Sequence, residues 1–211
     1  MKQIHFRNIL LACLALLWYT NTVEAQNYER LSEYEQNLYG ESAYVNGDYE
    51  TMKNVRAFWV KECNKLKNRN CEFVLCGNAE GVLKVTIPSR VLYAQGDTVV
   101  TSQAENVLRP LLHFVNGADA LASCIIACHS DNNGSEKYLT SLTSSRASSL
   151  CRWMVKQGVP EEALSCYGLG TKVSRTNNDN IKNRELNRRV TIYFVPNKKM
   201  LKLAKKGKLE K

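Results

Sequence analysis

The stretch HSDNNGSEKYLTSLTSSRASSL, residues 129–150, decides how the rest of the chain is read. An almost continuous apolar run at 121–128 precedes it, the pattern of a strand buried on both faces. A long helical pattern follows at about 138–157, with Gly158 as its stop. The polar residues 129–134 between them make a natural ligand site, because unpaired N–H groups at a helix start favour an acidic group. At about 100° per residue, Leu139, Leu142, Leu150, Trp153 and Met154 share one broad helix face. Arg146 projects into the middle of that apolar arc. Charged side chains are rarely buried unpaired, and Asp131 at the helix base is the obvious candidate for a shared site. An anion and a cation held at one groove mouth can clamp a zwitterion. Asp131 would take an ammonium group, and Arg146 a carboxylate through a two-pronged hydrogen bond. On pattern alone the structural reading is the commoner one, with Asp131 a loop or cap residue and Arg146 a buried ion.

Outward from this stretch, strands and helices alternate. Residues 82–87 (VLKVTI) alternate like a strand. Ser102 and Glu105 make a capping box that opens a helix through Val107, Leu108, Leu111, Leu112 and Val115, closed by Asn116-Gly117. Pro110 inside it should kink the helix. Residues 160–163 read as a helical turn, 164–168 as a strand, and 189–195 (RVTIYFV) as the last strand. The order β-α-β-α-β-β predicts an α/β fold, a mixed sheet with helices packed on it. Upstream, residues 26–80 begin polar and tyrosine-rich. A helical pattern follows at about 51–67, where Val55, Phe58, Trp59 and Cys63 share a face. Residues 68–78 read as a loop around Cys71 and Cys76. The upstream region is too short for an eight-stranded membrane barrel, whose strands alone need roughly 80 residues.

Several of these segments together resemble the OmpA-like, peptidoglycan-binding family. His129-Ser130-Asp131-Asn132-Asn133-Gly134, then Tyr138, Leu142, Arg146 and Ala147, are similar to its H-T-D-x-x-G … Y-N-x-x-L-S-x-x-R-A motif. Gly168-Leu169-Gly170 matches its G-x-G turn, and Arg184 with Asn187-Arg188-Arg189-Val190 matches its R … N-R-R-V ending. Residues 92–97 (LYAQGD) are similar to its L-F-x-F-x-S entry. The match covers roughly residues 82–196, and ordered motifs are far more specific than any one of them. The resemblance implies an OmpA-like sandwich over 81–196, in which Asp131 and Arg146 hold the diaminopimelate of a peptidoglycan stem peptide. The side-chain end of diaminopimelate carries ammonium and carboxylate on one carbon, which suits the clamp and favours the binding role. Leu139 departs from the family's asparagine, removing one polar contact worth about 0.5–1.5 kcal/mol. Ser130 replaces threonine, Cys128 a glycine and Gln95 a phenylalanine.

The ends of the chain read differently. Lys2 and Arg7, an apolar run at 9–18 and Ala25 make residues 1–25 an expected signal peptide. That run is short of the about 20 residues a membrane span needs, and no later segment could cross as a helix. Leu10-Leu11-Ala12-Cys13 resembles a lipoprotein box, but cutting there would bisect the apolar run, so ordinary cleavage is favoured. The net charge is +9, and residues 197–211 carry seven lysines and one glutamate, so the body between signal and tail is nearly balanced. A basic tail can bind acidic polymers or anionic lipid, or it can simply be solvated. Of eight cysteines, seven follow residue 25. Export makes disulfides possible, and an odd count leaves one thiol over. Cys63, Cys71 and Cys76 lack zinc-ligand spacing. Cys124, Cys128, Cys151 and Cys166 lie in apolar stretches and read as core residues.

The resulting expectation is a non-enzymatic periplasmic protein associated with the cell wall, with no cofactor and no bound metal. Its partner is peptidoglycan, with residues 26–80 free to meet an envelope or outer-membrane protein. Export makes nucleic acid an unexpected partner. A second reading keeps the fold for protein contacts within a secretion or motility assembly. A wall-cleaving enzyme ranks last, because no nucleophile with its base and no placed carboxylate pair is visible. His129 reads as structural. Of Arg188 and Arg189, one should brace the sheet and the other face solvent.

Overall fold

A computed structural model of the chain describes residues 45–66, 70–77 and 80–209. The expected signal peptide and Cys13 lie outside these residues. The sheet has five strands in the order β1-β2-β5-β3-β4. These are β1 (Glu72–Cys76), β2 (Val82–Pro88), β3 (Ala122–His129), β4 (Leu164–Gly170) and β5 (Arg189–Pro196). Only the β3–β4 pair is parallel. The longer helices are α1 (Tyr49–Leu66), α2 (Glu136–Lys156), α3 (Ile181–Asn187) and α4 (Lys198–Lys205).

The centre of the sheet explains the continuous apolar run. Cys124, Ile126 and Cys128 of β3 join the larger core on one face, while Ile125 and Ala127 join a smaller cluster on the other. A strand covered on both sides has no reason to alternate. The helix α2 starts where Ser135 accepts a hydrogen bond from the Tyr138 N–H, and it buries Leu139, Ala147, Leu150 and Met154. It lies very close to β4. A Cβ built on Gly168 would sit 2.1 Å from the Ser144 backbone nitrogen. Thr143, fully buried, donates to the Leu139 carbonyl (2.8 Å) and accepts from the Gly170 N–H (3.0 Å), tying helix to strand. Gly168 and Gly170 therefore serve this approach.

Four expectations need correction. Residues 72–76 are not loop but the edge strand β1, paired antiparallel with β2; only five residues long, it sits among polar neighbours that masked it. The helix expected from Ser102 is capped by Thr101, whose hydroxyl accepts from the Ala104 N–H, and it runs as short helical turns to Phe114. Glu105 turns to Arg109 (2.6 Å) instead of closing a capping box. Between the last two strands stands α3, which is polar and leaves Ile181 exposed, so no apolar period announced it. The residues after β5 fold into α4, with Met200 and Ala204 buried.

The segment before residue 81 also packs into the sheet's core. Asp48 caps α1 by accepting from the Thr51 N–H (2.8 Å), and Met52, Val55 and Trp59 are buried one turn apart. Trp59 stands edge-on to Phe114 (5.1 Å), which stands edge-on to Phe194 of β5 (5.2 Å). Asn54 donates to the Ala204 carbonyl (2.9 Å), joining α1 to the end of α4.

Cys151 of α2 and Cys166 of β4, expected as core residues, are joined in a disulfide with a sequence separation of 15. Closing a loop of that length stabilises by about 3 kcal/mol. Replacing both residues by serine should therefore lower the urea unfolding free energy by about that amount, as should reduction of the wild-type protein.

Candidate functional site

The sheet's geometry gathers side chains from distant parts of the chain at one end. β3 ends in His129 and runs into Ser130 and Asp131, while β5 begins beside it, with Cys128 opposite Val190. The turn after β2 brings Tyr93 and Ala94, α2 brings Arg146, and the α3–β5 junction brings Arg188. Together they line a cleft of about 480 Å³.

Both expected site residues lie in this cleft, but not as a pair. Asp131 is 4% exposed. One of its carboxylate oxygens accepts from the Asn133 N–H (3.2 Å), and the other takes an ion pair from Arg188. Arg146, 7% exposed, donates through Nε to the Asp97 carbonyl (2.8 Å) and through Nη2 to the Ala94 carbonyl (3.3 Å). Its guanidinium lies 5.0 Å from the Tyr93 ring centre, and the Tyr93 hydroxyl donates to the Arg146 carbonyl (2.9 Å). Carbonyls and a ring face hold the cation in place, and among the described residues it forms no ion pair, although its charge helps to lower the pKa of Asp97 after that carboxylate's hydrogen bonds from the Val99 and Thr98 N–H groups.

A second layer of charge rims the mouth. Glu185 takes Arg188 on one oxygen and Arg90 on the other (2.7 Å). Sequence reading missed Arg90 and Glu185, which no local pattern distinguishes from surface residues. It left open which of Arg188 and Arg189 braces the sheet. Arg189 does brace the sheet, buried and donating to the Val173 carbonyl (3.1 Å). Arg188, expected to face solvent if Arg189 is the brace, turns into the cleft. Asn187 next to it is fully buried; its amide accepts from the Arg175 and Thr176 N–H groups and donates to the Thr176 carbonyl and Asn178. That clamp fixes the loop after β4 and aims the following arginine.

His129 is excluded from the cleft lining and is 1% exposed, with Nε2 3.4 Å from the Thr191 hydroxyl. Burial, then the charges of Arg189 and Lys84, push its pKa well below the ordinary value, so the ring is neutral near pH 7. The Ser130 hydroxyl is buried against the cleft with no protein partner. Buried polar atoms normally have one, and this oxygen is an exception in the wall of the cleft. Leu139 supplies apolar wall. Among the described residues no cluster of three or more His, Cys, Asp or Glu could hold a metal ion, and no helix is long and apolar enough to cross a membrane.

Comparison with known proteins agrees with this architecture. A model of the OmpA family matches residues 92–188. Outer membrane protein A of Klebsiella aerogenes is 28% identical over 102 residues, covering 47% of this chain and 29% of the relative. The match thus spans less than a third of that relative's length. A solved MotB-like protein from Desulfovibrio vulgaris is similar at TM-score 0.56 and 23% identity, over 70% of this chain and 92% of its own. The cell wall anchor of the T6SS from Pseudomonas aeruginosa is similar at TM-score 0.54 and 17% identity, over 68% and 97%. The periplasmic domain of Helicobacter pylori MotB gives TM-score 0.52 and 17% identity, over 66% and 88%. At these identities the structural likeness is one of fold.

Proposed function

We propose, from the match of an OmpA family model to residues 92–188, that the chain grips peptidoglycan non-covalently, through the diaminopimelate of its stem peptide, and so anchors the cell envelope. The observation that carries this reading is Arg146, held by backbone carbonyls in a cleft without a direct ion pair. A buried guanidinium without an ion pair is costly unless an anion completes it. The ligand's carboxylate would meet its Nη1 side. The ligand's ammonium would approach Asp131, exchanging with Arg188 for that carboxylate. One fold relative is a cell wall anchor, which supports the same reading.

The same charges support binding rather than catalysis. The cleft's carboxylates, Asp131 and Glu185, are both engaged by arginines. Neither is a free acid or base poised at a scissile bond.

The test is sedimentation of residues 26–211 with purified diaminopimelate-containing peptidoglycan at moderate salt, comparing wild type with Asp131→Ala and Arg146→Ala. Truncating one partner of a buried charged contact costs roughly 2–5 kcal/mol. The folded Arg146→Ala variant should therefore lose at least about tenfold in affinity, and Asp131→Ala less, because Arg188 already competes for that carboxylate. Equal binding by all three would move the contact to another surface. Absence of binding in all three would favour an assembly component that uses the fold for protein contacts.

A further inference from the structure

The chain's strongest unbalanced charge lies away from the cleft. Residues 197–211 contain seven lysines, one glutamate and no arginine. Folding neutralises few of them. Lys199 pairs with Asp119 (2.6 Å), but Lys198, Lys202, Lys205, Lys206 and Lys208 are exposed and take no ion pair among the described residues. We propose that α4 and the lysines just beyond it form a peripheral contact surface for a membrane of anionic phospholipid.

Three observations select that partner. The apolar side of α4 is already used: Met200 and Ala204 are buried in the core, and Leu209 after the helix closes the same side. The helix therefore cannot insert and offers charge alone. All its cations are lysines, compact point charges on flexible stems. Recognition of individual phosphates or carboxylates in fixed geometry favours the arginine fork, whereas a diffuse negative surface asks only for cation density. Finally, the charges sit at the opposite end of the sheet from the cleft. α4 follows Pro196, which is paired with Ala122 at the start of β3, and the cleft opens beyond His129 at its finish. Seven strand steps separate the two ends by about 23 Å. A membrane on the lysine face therefore leaves the cleft open on the far side. If the cleft takes peptidoglycan, as proposed above, the domain bridges membrane and wall; the lipid contact itself does not depend on that reading.

The experiment is co-sedimentation of the full chain with vesicles of phosphatidylcholine alone and of phosphatidylcholine mixed with phosphatidylglycerol. Each is run from low to high salt. A variant with Lys198, Lys202, Lys205, Lys206 and Lys208 changed to glutamine is compared with one changed to arginine at the same positions. The N-terminal apolar stretch is common to all, so uncharged vesicles report its share. Wild type should bind the anionic vesicles selectively and release them as salt rises. The glutamine variant should lose on the order of a thousandfold in affinity, while the arginine variant keeps it. Equal capture by both vesicle types, salt-insensitive capture, or undiminished binding by a folded glutamine variant would overturn the proposal. So would capture by soluble polyphosphate without any capture by vesicles. Should the glutamine variant not fold, the wild-type comparison of lipids and salt decides. Peptidoglycan sedimentation of the glutamine variant, expected unchanged, keeps failure of this proposal distinct from failure of the cleft reading.

Discussion

Gly168→Ala should destabilise the domain by about 4 kcal/mol or more, a loss at the extreme of single substitutions. The added methyl would lie 2.1 Å from the Ser144 nitrogen and 2.3 Å from its Cα. Both are backbone atoms in the middle of α2, so no rotamer change relieves the clash. β4 must move away from the helix, and the Thr143 bond to the Gly170 N–H stretches with it. Because overpacking acts here on two regular elements at once, the ordinary cost of about 1–3 kcal/mol is a lower bound. Gly96→Ala is the control. Gly96 has φ +72° with nothing within 4 Å of an added Cβ, so only backbone strain of about 1–2 kcal/mol is expected. Urea unfolding of the two variants should separate them clearly. Similar small losses would mean that α2 and β4 are farther apart than described.

Trp59→Ala should cost about 3–5 kcal/mol, as large aromatic truncations in cores do. Trp59 is fully buried, contacts Phe58 and Phe114 edge-on, and donates from its indole nitrogen to the Gly81 carbonyl (3.0 Å). Its loss opens a cavity beneath α1 and leaves that carbonyl without its partner. Trp59→Phe keeps most of the buried area and forfeits chiefly the hydrogen bond, about 1 kcal/mol. A full loss for alanine with a small one for phenylalanine, read from urea midpoints, would establish α1 as part of the domain's own core. Little change in either would make α1 a detachable appendage.

Elements with a strong local pattern were legible before folding. The run at 121–128 announced β3, and the apolar face of 139–154 announced α2, because each element buries a surface whose period the sequence must carry. The same logic placed Asp131 and Arg146 in one cleft. It failed where structure depends on partners far along the chain. β1 is an edge strand that needs β2 to be recognised as a strand, and α3 is a short helix with too little apolar surface to show a period. Arg188 and Asp131 lie 57 residues apart, and nothing near either residue specifies the other. The seven lysines were plain to see. That Met200 and Ala204 fold them onto the core became visible only with α1 in place.

The Asp131–Arg188 ion pair changes what docking at that end of the cleft means thermodynamically. The carboxylate is not waiting in water for a cation; it already has one. An arriving ammonium enters an exchange equilibrium, and its net gain is the difference between two similar ion pairs. Such a swap releases little solvent and few counter-ions, so discrimination there comes from shape and hydrogen-bond count rather than gross charge. A mere cation would gain little from the swap. If the cleft takes a zwitterion as proposed, only a molecule that also satisfies Arg146 would gain enough to displace Arg188, and the resident arginine would then act as a filter for ligands bearing both charges.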